Sequence, residues 1–377
     1  MIYFDNSATT KPSRACIAAV TEAMERRYAN ASSLHREGVS AKGDIDGCRA
    51  ALALQLGCNA SEILLTPGGT FGNNLAVKTA VEMQKRRGNR IVISSVEHPS
   101  VSACVKTYEN AGFEVVLCNP LNGDFEKNIN DKTILVSCMY VNNETGLILP
   151  VEKLAGLIES SGAPALLHID AVQALGKLPV DVCGLGCDML TVSAHKINGP
   201  KGVGALYVRR GVRVSPLTYG GEQENSLVPG TYNSPACAGF AAALHELGNK
   251  DAQHLKNLYG HFVMRAREFD FIRVNTFGEH SPHIINITFD GYLGENVLHY
   301  LEEFGIYTSQ GSACSSHSKK KSRALEALGA DKRTADCSLR ISFDFENTIA
   351  EIDEFFKVCT QIPVSYTHLD VYKRQEL

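Results

Sequence analysis

A chain of 377 residues, 44% of them hydrophobic and 21% charged, is long enough to bury the cores of about two or three domains. Its formal net charge of −4 and pI near 6.3 exclude a long-range pull toward nucleic acid or an anionic membrane surface. The twelve cysteines are scattered, and the opening Met1-Ile2-Tyr3-Phe4-Asp5 has neither the basic nor the apolar part of a secretory signal. Reduced thiols and a cytoplasmic location are therefore expected rather than a disulfide framework.

Taken along the chain, apolar residues at three- and four-residue spacing predict helices over 72–87, 100–111 and 151–160, and short β-branched runs predict strands over 90–94, 133–138, 165–169, 189–192 and 203–208. Strands alternating with helices are the signature of a parallel sheet, so the fold class is α/β. After about residue 255 the pattern changes to isolated strands, 284–289 and 339–343, with helices over 295–304 and 349–359. That predicts a smaller α+β domain. The expected division is a large domain of residues 14–255 and a small one built from 1–13 with 256–362. No run is long and apolar enough to cross a bilayer. The closest cysteine pair, Cys183 and Cys187, lacks a second pair at zinc-site spacing, so no metal is expected.

Residues 363–375 are a separate matter. They back-translate, with permitted codons, into a string that apart from its first base is its own reverse complement, and they resemble two transposon ends joined head to head. Residues 363–377 are accordingly read as an assembly artefact and kept out of the fold.

In open parallel sheets, ligands collect where strand carboxyl ends meet helix N-termini. Five polar segments follow apolar runs and are expected to line one crevice: 68–70, 96–98, 141–144, 168–173 and 193–196. In Thr66-Pro67-Gly68-Gly69-Thr70, backbone amides and a hydroxyl would face a phosphate at a helix N-terminus. The segment lacks the Walker lysine, and by itself it also reads as a structural turn. Lys196 sits in a glycine-rich turn between two apolar strands, where an amine can be partly desolvated for Schiff-base chemistry. A lone lysine at a strand end is more often merely solvated, but Asp170 shifts the balance. A carboxylate ending a buried strand is costly unless paired, and the pyridinium nitrogen of pyridoxal phosphate (PLP) is a partner that such enzymes supply with Asp.

Tyr3-Phe4-Asp5-Asn6-Ser7-Ala8-Thr9-Thr10, Ser32-Ser33-Leu34-His35, Thr66-Pro67-Gly68-Gly69-Thr70, Glu97-His98, Val141-Asn142-Asn143-Glu144-Thr145-Gly146, His168-Ile169-Asp170-Ala171-Val172-Gln173, Ser193-Ala194-His195-Lys196, Gly311-Ser312-Ala313-Cys314 and Ser338-Leu339-Arg340-Ile341-Ser342 together resemble the cysteine desulfurases. These are a branch of the fold-type I PLP enzymes related to class V aminotransferases. The resemblance spans the chain to about residue 362 and keeps the family's order. It implies that Lys196 carries the cofactor, Asp170 pairs with its pyridine nitrogen and His98 stacks on the ring. Gln173 and Asn143 would contact the phenolic oxygen. Gly69, Thr70, Ser193 and His195 would hold the phosphate, joined in a homodimer by Thr231 of the neighbouring subunit. Arg340 matches the arginine that binds the substrate carboxylate, for which a planar guanidinium is suited.

Cys314 lies in a run of small and polar residues, Ser309 to Ser318, with His317 and three lysines nearby. The composition predicts an exposed loop and a thiol that ionises readily. The resemblance makes Cys314 the nucleophile that takes sulfur from L-cysteine, releases alanine and passes the persulfide to an acceptor protein, such as an iron–sulfur scaffold or a tRNA-thiolating enzyme. Two positions depart from the family: Phe71 stands where Glu commonly follows the Thr, and Val228 where an Arg usually precedes the turn before Thr231. Rival readings are a selenocysteine lyase or cysteine sulfinate desulfinase, an aminotransferase or kynureninase, and a non-catalytic PLP-binding sulfur-delivery scaffold.

Overall fold

The computed structural model describes residues 1–311 and 322–362. Its strands in chain order are β1 (Ile2–Tyr3), β2 (Ile63–Thr66), β3 (Arg90–Ser94), β4 (Glu114–Cys118), β5 (Thr133–Met139), β6 (Leu166–Asp170), β7 (Met189–Ser193), β8 (Gly204–Val208), β9 (Ile272–Asn275), β10 (Ile284–Phe289), β11 (Ile306–Tyr307) and β12 (Ser338–Ser342). The chain divides into two units. The larger comprises Thr10–Val141 and Leu149–Asn249; the smaller comprises Met1–Thr9, Asn142–Ile148 and the chain from Lys250 onward.

The larger unit is built on a seven-stranded sheet in the order β2-β8-β7-β6-β5-β3-β4. Strand β8 runs antiparallel to both neighbours, and every other pair is parallel. All residues of β5, β6, β7 and β8 are buried, as strands covered on both faces require. The helices Gly69–Gln84, Pro99–Asn110 and Val151–Ser161 follow β2, β3 and β5. They satisfy the expected α/β class, a mixed and mostly parallel sheet with helical cover. Leu75, Val77 and Val81 of the first helix pack with Val101 and Val105 of the second over Ile91, Ile93, Leu135 and Leu206. Each such fully buried side chain contributes roughly 1.5–3 kcal/mol.

The smaller unit holds an antiparallel sheet, β12-β10-β9, and a parallel pair, β1-β11. Its core is aromatic. Phe4 meets Phe343 edge to face with ring centroids 5.3 Å apart, and Phe262 lies 4.8 Å from Phe356, geometries that add roughly 0.5–1.5 kcal/mol to area burial. Helix Ile349–Cys359 starts at a capping box of Thr348 and Glu351, which satisfies two orphan amides at once. Among the described residues no helix is long and apolar enough to cross a membrane.

Candidate active site

Because β8 is the reversed strand, β2, β3, β6 and β7 present their carboxyl ends at the same edge of the larger sheet. After β3 the chain runs to His98, which caps the helix Pro99–Asn110 by accepting from the Ser100 amide at 3.1 Å. Pro99 suits the first helical position because its missing N–H would have no intrahelical partner there. Strand β6 ends on Asp170, and β7 ends on Ser193, followed by the single turn Ala194–Lys196 that carries His195 and Lys196. Strand β2 leads through Gly68 into the helix Gly69–Gln84.

Asp170 is 5% exposed, and its carboxylate is held from two sides. Oδ1 accepts from the Val172 amide at 3.0 Å and Oδ2 from Asn73 Nδ2 at 2.7 Å. Gln173 is buried beside it in the chain. Below Asp170, fully buried His168 meets Ser137 Oγ at 2.9 Å and Thr191 Oγ1 at 3.0 Å, and burial pushes it down to about 3. The His195 carbonyl accepts from the Thr10 amide at 2.9 Å and from Thr10 Oγ1 at 3.0 Å, while the Lys196 carbonyl accepts from Lys177 Nζ. His195 titrates near 4, pushed down by burial and then by Lys196, Lys201 and Lys177. His98 is held below the usual histidine range by burial, which the Asp170 carboxylate opposes and Lys196 reinforces. Glu97 is driven the other way: burial first, then Asp170, hold its carboxyl well above the usual range.

Ser193 Oγ is buried without a hydrogen-bond partner, a stranded polar group that costs about 1–3 kcal/mol until something bonds it. The helix Gly69–Gln84 starts beside it with no side-chain cap. A Cβ on Gly69 would come 3.0 Å from Val172 Cγ2 and 3.7 Å from Ser193 Cβ, so glycine lets the helix start settle onto the strand ends. Free amides, the helix dipole and an unsatisfied hydroxyl form an anion cradle. This donor set fits the phosphate of PLP, as the Asp170 carboxylate fits its pyridinium. Thr70 is exposed on the first helical turn, and Thr231 is exposed in the segment preceding helix Ser234–Leu247.

The smaller unit brings a second set together. Arg340, in the middle of β12, is 1% exposed. Its Nη1 donates to the Asn143 carbonyl at 2.9 Å and its Nη2 to Asp5 Oδ1 at 2.6 Å, while Nε is buried without a partner. Ser7 Oγ also donates to the Asn143 carbonyl at 2.9 Å. Asn143 is thus placed with Arg340 by its backbone. Cys314 lies outside the described residues.

Sequence reasoning assigned no role to Asn73, Ser100, Glu97 or Asp5. The one available signal for Asn73 was a polar residue on the apolar face of its helix, and Glu97 and Asp5 were quoted only as parts of motifs. Phe71 and Val228, the two departures from the family, are partly buried and both pack against the apolar core of the larger unit.

The family model for class-V aminotransferases matches residues 2–355. A protein named cysteine desulfurase from Trichormus azollae is 36% identical, with 100% of this chain and 96% of that protein covered. One named cysteine desulfurase IscS from Dictyoglomus turgidum is 33% identical over 99% of this chain and 97% of its own. Among solved structures, a NifS-like protein superposes with a TM-score of 0.88 at 32% identity, covering 96% of this chain and 98% of its own. SspA in complex with cysteine does so with a TM-score of 0.81 at 30% identity, over 91% and 99%. With the family model spanning nearly the whole chain and full-length relatives of one kind, the chain belongs to the cysteine desulfurase family of class-V aminotransferase-like, PLP-dependent enzymes.

Proposed function

We propose that the protein removes sulfur from L-cysteine, releasing L-alanine and leaving a persulfide on Cys314 for an acceptor protein. The observation that carries the reading is the paired arrangement at the strand ends: a buried, doubly bonded Asp170 on β6 and an unsatisfied Ser193 Oγ beside an uncapped helix start. A carboxylate suited to a cationic ring nitrogen and donors suited to a phosphate, on one sheet edge, support this reading.

PLP attached to Lys196 supplies an electron sink for the pair left when the substrate loses its Cα proton. Asp170 would pair with the ring nitrogen, and His98 would stack on the ring. Gly69, Thr70, Ser193 and His195 bind the phosphate, with Thr231 contributed across a homodimer. Arg340 takes the substrate carboxylate, and Gln173 and Asn143 would contact the phenolic oxygen of the cofactor. The Lys196 amine takes the Cα proton. The Cys314 thiolate attacks the substrate sulfur: an S–S bond forms, the C–S bond breaks, and its electron pair with a proton ends on the carbon released as alanine. The overall change, L-cysteine plus a thiol to L-alanine plus a persulfide, balances without an external oxidant.

We further place the reaction in the cytoplasm. The acceptor is an iron–sulfur scaffold or a thiolation enzyme. Cys314→Ala is expected to abolish alanine formation while leaving the bound-cofactor absorbance intact, and Lys196→Ala to remove the covalent attachment. Normal turnover in either variant refutes the reading. Parallel turnover of L-cysteine, selenocysteine and cysteine sulfinate separates the desulfurase from its rivals, and bound cofactor with no alanine release would mark a delivery scaffold.

A further inference from the structure

A continuous hydrogen-bonded chain joins Asp170 to His98 inside the larger unit. Asn73 Nδ2 donates to Asp170 Oδ2 at 2.7 Å and to Ser100 Oγ at 2.8 Å. Ser100 Oγ lies 2.7 Å from His98 Nδ1, and the Ser100 amide donates to the same nitrogen at 3.1 Å. Asn73 and Ser100 are 1% and 8% exposed, so water does not compete for these bonds.

The direction of each proton follows from what each group can give. With the Asn73 amide turned the other way, its oxygen would face the Asp170 carboxylate, acceptor against acceptor, so the nitrogen must lie there. Its two hydrogens go to Asp170 and Ser100. Ser100 Oγ, having accepted one, sends its own to His98 Nδ1. A backbone N–H can only donate, so Nδ1 receives two donors and carries no proton. The imidazole proton is therefore on Nε2.

On the reading that Asp170 and His98 serve the cofactor, we propose that Asn73 is a positioning residue. Through Ser100 it holds His98 in the neutral Nε2–H form, and by the same amide it orients Asp170. His98 then carries its proton only at Nε2, and neither the ring, bonded to Ser100, nor the carboxylate, bonded to Asn73, can turn without breaking a bond of this chain. Packing alone does not account for Asn73. Its Oδ1 is buried without a partner, a cost that an apolar residue of similar size would avoid. The burial that holds His98 below the usual histidine range acts in the same direction.

The test is NMR of the full-length holoprotein labelled with nitrogen-15 histidine, with His98→Gln to assign the resonances. The expected spectrum has an unprotonated Nδ1 and a protonated Nε2 at His98. Ser100→Ala should shift the Nδ1 resonance, and Ser100→Thr, which keeps the hydroxyl, should restore it. Asn73→Ala and Ser100→Ala should each lower kcat about tenfold with KM for L-cysteine within about twofold. If Asn73→Ala does not fold, the Ser100 pair carries the test alone. A protonated Nδ1 in the unsubstituted protein, or Ser100→Ala with unchanged Nδ1 and kcat, overturns the proposal. The same spectra on protein stripped of PLP separate the two failures. A chain that releases no alanine would sink the functional reading, while the tautomer still stands or falls on the nitrogen shifts.

Discussion

Arg340 and Asp5 form a largely sealed pair at 2.6 Å, the arginine side chain 1% and the aspartate side chain 19% exposed. With Nη1 on the Asn143 carbonyl and Nη2 on Asp5, Nε is the guanidinium nitrogen left without a partner among the described residues. The guanidinium is thereby fixed in rotation before any substrate arrives. Its open valence is a hydrogen-bond donor, which is what a carboxylate oxygen seeks.

Removing the charge from Asp5 tests how much that fixation is worth. Asp5→Asn is expected to lower unfolding stability by about 1–3 kcal/mol, because a buried cation loses a charged acceptor that solvent replaces only in part. Urea unfolding monitored by circular dichroism, with PLP at a fixed saturating concentration, reads the change. A loss below about 0.5 kcal/mol, the range of an ordinary surface pair, would show that the contact is screened rather than sealed.

Arg340→Lys addresses recognition rather than stability. Lysine keeps the charge but offers no planar fork and reaches fewer acceptors at fixed angles. On the proposed assignment of Arg340 to the substrate carboxylate and not to the cofactor, KM for L-cysteine is expected to rise about tenfold or more while the absorbance of bound PLP stays unchanged. Unaltered KM would remove Arg340 from the substrate site.

Much of this was legible in the sequence, and what was not has identifiable causes. Strand 133–138 became Thr133–Met139 and strand 284–289 was met to the residue, because uninterrupted buried runs bounded by turns leave little choice. Helix 72–87 begins three residues earlier, at Gly69, where a glycine turn hides the periodic signal. Helix Arg36–Leu56 went unseen because Gly43, Gly47 and several charged residues break its apolar stripe. Strand β4 is an edge strand with Glu114 and Leu117 exposed, so it shows no inward alternation. The Asn73–Ser100 contact depends on the register between two helices, which no local pattern encodes. The resemblance named Asp170 and His98; it could not show that one amide ties them together.

Acid should weaken the fold in a way traceable to His168. Its folded value of about 3 lies below the ordinary 6.5, so between those values the unfolded chain holds a proton that the folded chain refuses. Stability must then fall as pH falls below about 6.5, by at most about 1.4 kcal/mol per pH unit. Glu97 acts oppositely: with its carboxyl held well above the usual range by burial, it favours the folded state less as pH rises past that range. The difference between the parent chain and His168→Asn isolates the first effect. The variant should be weaker at pH 7, having lost the bonds to Ser137 and Thr191, yet decline less steeply from pH 6.5 to 5. Parallel slopes in the two proteins would place the protonation elsewhere.

Gly72 sets how closely the helix Gly69–Gln84 approaches the sheet. A Cβ there would come 2.8 Å from Thr191 Cγ2 and 3.3 Å from Thr191 Oγ1, the hydroxyl that bonds His168. Replacing glycine by alanine inside a helix ordinarily gains about 0.5–1 kcal/mol. Overpacking a filled core costs about 1–3 kcal/mol, and here the obstructing methyl is fully buried on a sheet strand and cannot retreat. The clash should win. Gly72→Ala is expected to be destabilised by about 1 kcal/mol or more and, by lifting Gly69 from Ser193, to bind PLP more weakly in a fluorescence titration. Thr191→Ser removes the obstructing Cγ2 but keeps the hydroxyl for His168. The double variant should therefore recover much of the loss, a coupling between the two sites that independent substitutions would not produce. Simple additivity would mean that the helix approaches the sheet by some contact other than Gly72 on Thr191.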